Sequence, residues 1–325
     1  MSETILSVED LHVWFDLPRG GVLHAVQGVS LSVDRGERFG LVGESGCGKT
    51  TTILAMMGLL PPNATVSGRV LLEGEDVLAE GERSARPHRW VDISMIFQGA
   101  MNALNPVQTV GAQILEPMEL HGYATGVDAR ERAGRLLELV GIGRDRLDRF
   151  PHEFSGGMRQ RAAIAMALAC EPKVILADEP TTALDVMVQA QILGLLERLS
   201  EELGLTVILV THDLPLVAHV CHRAAVMYGG ILAEVGPMDA LYHDPRHPYT
   251  RMLFSAVPDP TGESEVISIP GAPPRLDRPI PGCPFEPRCD RAFEPCSSVR
   301  PRQISLTDGR EASCHLNDPA LTEAS

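Results

Sequence analysis

Lys49 closes the run Gly43-Glu44-Ser45-Gly46-Cys47-Gly48-Lys49-Thr50, which fits G-x-x-x-x-G-K-[ST] at every fixed position. The residue types suit phosphate. Glycines let the backbone wrap close to an anion, and the loop N–H groups with a helix N-terminus supply positive potential. Lys49 can reach the outer phosphates, the Thr50 hydroxyl can ligate Mg2+, and Thr51 completes the binding stretch. A nucleoside triphosphate is the expected ligand. A second element of phosphate chemistry lies at Val174-Ile175-Leu176-Ala177-Asp178-Glu179-Pro180. In-line phosphoryl transfer needs a neutralised γ-phosphate and an oriented nucleophile, so Asp178 is suited to hold Mg2+ and Glu179 to polarise the attacking water. Between the two, Ser155-Gly156-Gly157 precedes a run of strong helix formers. Free N–H groups and a hydroxyl at a helix start again suit an anion, and a simple N-cap is the competing role for Ser155.

These residues need particular elements beneath them. Phe39-Gly40-Leu41-Val42 has the short apolar character of a buried parallel strand, and Ile53, Leu54, Met56 and Met57 recur at helical intervals after the loop. The loop therefore falls where a strand hands over to a helix. Val174 to Ala177 reads as a buried strand ending in carboxylates, the place where open α/β sheets bind ligands. Residues 1 to about 95 read as strands and turns, with alternation in Ser30-Leu31-Ser32-Val33 and Val70-Leu71-Leu72. Residues from about 107 to 170 read as helical; in 127–140, Ala133, Leu136, Leu137 and Val140 line one face and Arg130, Arg132 and Arg135 the other. Strand and helix then alternate from Val174 to about Gly236, as a parallel sheet requires.

The order of the three motifs resembles the ATPase subunit of ATP-binding-cassette (ABC) transporters. That resemblance makes Phe154-Ser155-Gly156-Gly157-Met158-Arg159-Gln160-Arg161 the signature that closes on ATP held by a partner subunit's phosphate loop. It makes Gln98 the switch glutamine that senses Mg2+ and leads into the contact with membrane subunits, and His212 the switch histidine at the γ-phosphate. Asp185 is similar to the acid that couples the two sites of a dimer, and Phe15 to the aromatic that stacks on adenine. Trp14 competes for that last role, since strand alternation sends the two rings to opposite faces. The chain departs from the family in two places. Phe154 and Met158 stand where Leu and Gln are usual, which looks like the peptide-importer branch. After Gln98 that branch often has an acid and a proline, whereas Gly99-Ala100 and then Met101-Asn102-Ala103-Leu104-Asn105-Pro106 stand here.

Length and charge fit this reading. A chain of 325 residues can hold one large α/β core and a small appendage. A formal charge of -15 argues against wrapping a nucleic-acid backbone. No apolar run reaches the roughly 18 residues needed to cross a bilayer, so a peripheral place at the cytoplasmic face of the membrane is expected. Pro and Gly cluster from Pro258 to Pro287, marking a linker or irregular module. Cys283, Cys289, Cys296 and Cys314 follow at spacings of five, six and seventeen intervening residues. Structural disulfides are unexpected in the cytoplasm, zinc modules favour C-x-x-C knuckles, and irregular spacing suits a [4Fe-4S] cluster better, with zinc the alternative. The segment resembles the C-terminal extension of oligopeptide and dipeptide importer ATPases, as does His247-Pro248-Tyr249-Thr250.

The expected fold is thus α/β, a P-loop ABC ATPase core with a helical subdomain at about 99–170 in a nucleotide-binding domain of 1–257, and an irregular cysteine-containing extension at 258–325. The resemblance implies an ATPase that energises uptake of peptides, with nickel, opines or oligosaccharides as alternative solutes. Its implied partners are a second ATPase subunit or a second copy, two membrane permeases and an extracytoplasmic solute-binding protein, and no nucleic acid. The alternative is a soluble ATPase of the superfamily acting in DNA repair or translation. The roughly one hundred residues between Thr50 and Ser155 are too few for the long coiled-coil arm of the repair proteins, and a single cassette does not match the translation proteins.

Overall fold

The computed structural model describes residues 3–99, 103–256 and 269–322. The departure at Ala100-Met101-Asn102 and the start of the expected linker at 258 lie outside the described residues. In chain order the first half holds β1 (Thr4–Asp16), β2 (Val22–Asp34), β3 (Arg38–Val42), α1 (Lys49–Met56), β4 (Ala64–Leu72), β5 (Glu75–Asp76), α2 (Glu82–Ala85), β6 (Ile93–Ile96), α3 (Val110–Leu120), α4 (Gly126–Leu139) and α5 (Gly156–Ala167). The second half holds β7 (Val174–Asp178), α6 (Val186–Leu203), β8 (Thr206–Thr211), α7 (Leu214–Val220), β9 (Arg223–Tyr228), β10 (Ile231–Pro237), α8 (Met238–His243), α9 (Pro248–Ser255), β11 (Ile304–Ser305), β12 (Glu311–Ala312) and α10 (Pro319–Thr322). The chain divides into two compact units: residues 1–34, 39–79 and 211–325 form one, and residues 35–38 and 80–210 the other.

In the first unit, β2, β1, β4 and β5 form an antiparallel sheet in that order. Its strands alternate: in β1, Leu11 and Val13 are buried while His12 and Trp14 are only half-buried, the pattern of a sheet with one covered face. Beside it β3 runs parallel to β9, β9 antiparallel to β10, and the tail adds β12 and β11 beyond β10. The tail therefore folds against this unit. Phe285 is 1 % exposed, with its ring centroid 5.2 Å from Tyr228 and 5.3 Å from Tyr249. Arg310 is likewise buried, ion-paired with Asp308 at 2.6 Å and Asp244 at 3.1 Å. A segment short of large apolar residues gains its core by docking onto a larger one.

In the second unit β6, β7 and β8 are parallel neighbours, with Ile93 opposite Val174 and Val174 opposite Thr206. Every residue of these three strands is buried, which is why they read as continuous apolar runs. α4 buries Ala133, Leu136 and Leu137 as its periodicity indicates. Arg132 corrects the expected polar face. Its guanidinium donates to the carbonyls of Ala169 at 2.7 Å and Leu168 at 3.2 Å, just past α5, and pairs with Glu171 at 2.6 Å. It caps carbonyls that the end of α5 leaves without helical partners, a use of arginine that helical periodicity cannot show.

α9 starts on His247, whose Nδ1 accepts the Tyr249 N–H at 3.0 Å and whose own N–H donates to Glu234 Oε2 at 2.9 Å. Burial drives the His247 pKa down to about 4, against an opposing backbone hydrogen bond at Ser313. The imidazole is neutral when folded and gains a proton when unfolded at mildly acid pH. Its contribution to stability is thus complete above about pH 6.5 and is lost as pH falls toward 4, roughly 3 kcal/mol in all. The melting temperature should fall over this window, and His247→Asn, which keeps an acceptor without titrating, should flatten that part of the profile; an unchanged slope would remove His247 as the cause.

Candidate active site

The phosphate loop lies between β3 and α1, as its context requires. Gly48 caps α1 with φ 110°, and Gly43 has φ 149°. Space forbids a side chain at either: a Cβ on Gly43 would stand 2.1 Å from the Met227 carbonyl oxygen, and one on Gly48 2.4 Å from that of Ala25. The Lys49 ammonium crosses the loop and donates to the carbonyls of Gly43 at 2.7 Å and Glu44 at 2.9 Å. Ser45, Gly46 and Thr50 are exposed, Thr51 is half-buried, and Cys47 is buried. Burial raises the Cys47 thiol pKa despite the lowering pull of Lys49, so the loop presents no thiolate at neutral pH.

Two residues beyond the loop hold Glu44. The Tyr249 hydroxyl accepts the Glu44 N–H at 3.0 Å, and Arg288 makes two bonds to its carboxylate, Nη1 to Oε2 at 2.7 Å and Nη2 to Oε1 at 3.0 Å. Sequence reasoning missed both. The only available signals were the His-Pro-Tyr run and an arginine directly before Cys289, and neither indicates Glu44 as its partner.

In the second unit β7 ends at Asp178, 2 % exposed, and Glu179 follows with φ 43°. That left-handed conformation is uncommon for a residue with a side chain and costs about 1 kcal/mol or more. It is held by the Glu179 N–H, which donates to the Val210 carbonyl at 2.8 Å, and by two donors to its Oε2, Gln98 Nε2 and Thr182 Oγ1, each at 2.9 Å. The structure thus brings Gln98 and Glu179 together and adds Thr182, which sequence reasoning did not single out. Ser155 is the N-cap of α5, its Oγ accepting the Met158 N–H at 3.3 Å. Gly157 lies so close to α6 that a Cβ would stand 2.9 Å from Val188 Cγ1. Asp185 caps α6 by accepting the Val188 N–H at 3.0 Å. His212 is exposed directly after β8.

The two candidates for the adenine stack differ in their surroundings. Trp14 stacks on His24, ring centroids 6.4 Å apart, whereas Phe15 is half-buried opposite Leu23 and Ala64. The metal centre expected at Cys283, Cys289, Cys296 and Cys314 gains no support from the side-chain geometry. All four are free thiols, and among the described residues no three His, Cys, Asp or Glu side chains are grouped to hold a metal ion, so neither the [4Fe-4S] cluster nor zinc finds geometric support. The thiols do lie within one another's electrostatic reach. Burial pushes Cys283 up to about 11 and Cys314 up to about 12; Cys289 and Cys296 add to both shifts, and Cys283 adds to that of Cys314.

A phosphate loop opening α1, and two acids closing a buried parallel strand, define a P-loop ATPase of the ABC class. The ABC transporter family profile matches residues 26–182, and that of the oligopeptide/dipeptide transporter C-terminal region matches 233–296. The dipeptide transport ATP-binding protein DppD of Bacillus subtilis is 47 % identical over 99 % of this chain and 97 % of its own length. The oligopeptide transport ATP-binding protein OppD of Escherichia coli is 45 % identical over 96 % and 93 %. Among solved structures, the ATP-binding cassette MJ0796 bound to ADP and Pi is similar at TM-score 0.64 and 28 % identity, covering 72 % of this chain and 98 % of that one. CbiO1 of Clostridium perfringens matches at 0.62 and 31 %, covering 74 % and 92 %. The chain belongs to the ATP-binding subunits of the oligopeptide/dipeptide ABC transporter family.

With Trp14 engaged by His24, Phe15→Ala should weaken ATP binding by roughly 1–3 kcal/mol, the range for base–aromatic stacking, and Trp14→Ala should change it little. Titration of both variants with MgATP decides between them, and the reverse order of effects would assign the stack to Trp14.

Proposed function

We propose that this chain hydrolyses ATP to energise uptake of dipeptides or oligopeptides through an ABC importer. The observation that carries the proposal is the joint presence, in one chain, of the ABC cassette and the oligopeptide/dipeptide transporter C-terminal region. Relatives named for dipeptide and oligopeptide transport put peptides ahead of nickel, opines or oligosaccharides. The DNA-repair alternative is not favoured: between the phosphate loop and Ser155, α3 and α4 have 11 and 14 residues, too short for a long coiled-coil arm.

In this reading Gly43 to Thr51 cradle the phosphates, with Lys49 turning from the loop carbonyls to the outer phosphates. Thr50 in the first unit offers a hydroxyl, and Gln98 and Asp178 in the second offer an amide and a carboxylate; each is a hard oxygen donor of the kind Mg2+ takes, and Mg2+ supplies charge neutralisation when bound. Glu179 orients and deprotonates the attacking water, its carboxylate fixed by Gln98 and Thr182. His212 contacts the γ-phosphate and Phe15 stacks on adenine. Ser155, Gly156 and Gly157 close on the nucleotide of a second ATPase subunit, the same chain or a related one, and Asp185 couples the two sites. Val186 and Met187, 78 % and 72 % exposed beside Asp185, support a partner there.

Among the described residues no helix is long and apolar enough to cross a membrane. We place the chain peripherally at the cytoplasmic membrane face against two permeases, served by an extracytoplasmic solute-binding protein. Exposed Phe97, Val107 and Leu120, on either side of Gln98's segment, support a permease contact. Cys283, Cys289, Cys296 and Cys314 hold a [4Fe-4S] cluster that braces the tail. Support comes from the irregular spacing of the four cysteines and from thiols that lie in one another's electrostatic field.

Glu179→Gln in the assembled transporter should abolish ATP turnover and labelled-dipeptide uptake while leaving MgATP binding, because it removes the base and spares the phosphate cradle. Wild-type turnover in that variant would reject the assignment. Anaerobically purified protein should be brown, and Cys314→Ser should bleach it with release of iron. A colourless preparation carrying one equivalent of zinc would put a structural ion in place of the cluster.

A further inference from the structure

Glu44 brings a negative charge into a loop that must accept a polyanion, and like charges at that range repel strongly where water is sparse. The first unit answers that charge from far along the chain. Arg288, 244 residues away, grips both carboxylate oxygens, and Tyr249, 205 residues away, takes the backbone N–H. The Arg288 side chain is only 5 % exposed and is itself fixed. It donates to the carbonyls of Pro270 at 2.7 Å and Ile269 at 3.4 Å and to the Tyr228 hydroxyl at 3.1 Å. Its guanidinium carbon also lies 5.7 Å from the Tyr228 ring centroid. The hydrogen bonds to Glu44 hold its charge on even more firmly than usual for arginine. Arg288 sits between Cys283 and Cys289 on a turn whose Phe285 packs against Tyr228 and Tyr249.

The pattern of the loop demands none of this, since Glu44 occupies a variable place in G-x-x-x-x-G-K-[ST]. A bidentate ion pair whose arginine is buried and makes four further contacts of its own is too specific to be a solvated surface bridge, which contributes little. We propose that Arg288 is a positioning residue of the nucleotide site, neutralising Glu44 and tying the phosphate loop to the folded C-terminal segment, so that tight ATP binding depends on that segment. The inference rests on reading residues 43–51 as the ATP loop. Tyr249 secures the same residue through its backbone, so side chain and main chain of Glu44 are held by two different elements.

The test is calorimetric titration of the full chain with MgATP. Arg288→Gln should raise the dissociation constant at least about tenfold, because the Glu44 charge is then left without its arginine in a loop that accepts a polyanion. In a Glu44→Gln background the same substitution should cost less than about twofold, since no charge remains to be neutralised; a merely structural arginine would cost the same in both backgrounds. Thermal melting without nucleotide reports folding separately. Should Arg288→Gln not fold, Arg288→Lys, which keeps the charge and loses the fork, takes its place and should give a smaller increase that again vanishes with Glu44→Gln. Lys49→Ala separates the two readings. Unaltered binding in Lys49→Ala would overturn the loop assignment, whereas lost binding there with native affinity in Arg288→Gln, or equal losses in both Glu44 backgrounds, would overturn the role of Arg288 alone.

Discussion

The loop from Gly43 to Thr50 is shaped by main chain, because β2 and β9 approach so closely that no side chain fits at Gly43 or Gly48. The walls are main chain. The carbonyls of Ala25 and Met227 cannot be repacked as side chains can, and the Gly230 N–H also fastens the Cys47 carbonyl at 3.0 Å. The register of β9 against β3 and the turn from β9 to β10 therefore decide the shape of a loop nearly two hundred residues earlier in sequence. Lys49 then needs no precise rotamer preference of its own, because the loop carbonyls hold its ammonium in place.

The second unit solves a different problem with local strain. Glu179 is forced into the left-handed region immediately after the last residue of β7, and a strand-ladder hydrogen bond to Val210 together with Gln98 and Thr182 keeps it there. In the role proposed for Glu179, aiming at one water, a carboxylate gains from having few alternatives. The same economy appears at Ser155 and Asp185, each of which caps the helix it starts and so has its position set by the backbone.

How far the sequence can be read follows from how local each feature is. The strand, loop and helix around Lys49, the buried run ending at Asp178 and the helix after Ser155 are all encoded within a few residues by apolar periodicity and glycine placement, and they were legible. Arg132 was misread because helical periodicity describes a face and not the carbonyls at the end of a neighbouring helix. The grip on Glu44 was illegible because its parts come from α9 and a short turn in the tail, and no pattern in any one of them names the others. The four cysteines were conspicuous by spacing, but spacing alone does not fix how far apart the sulfurs lie.

One consequence of the division into units concerns synthesis. The second unit is nearly continuous, 80–210 with only a four-residue addition, so it can close as soon as that stretch has left the ribosome. The first is built from opposite ends of the chain. At about 5–20 residues per second, the 244 residues separating Glu44 from Arg288 take roughly 12–50 s to translate. For that interval the nascent phosphate loop has no arginine against its glutamate, and the strands β9 and β10 that wall it in emerge only late. Segments made late thus finish a motif made early, which delays completion of the phosphate loop until Arg288 has been added.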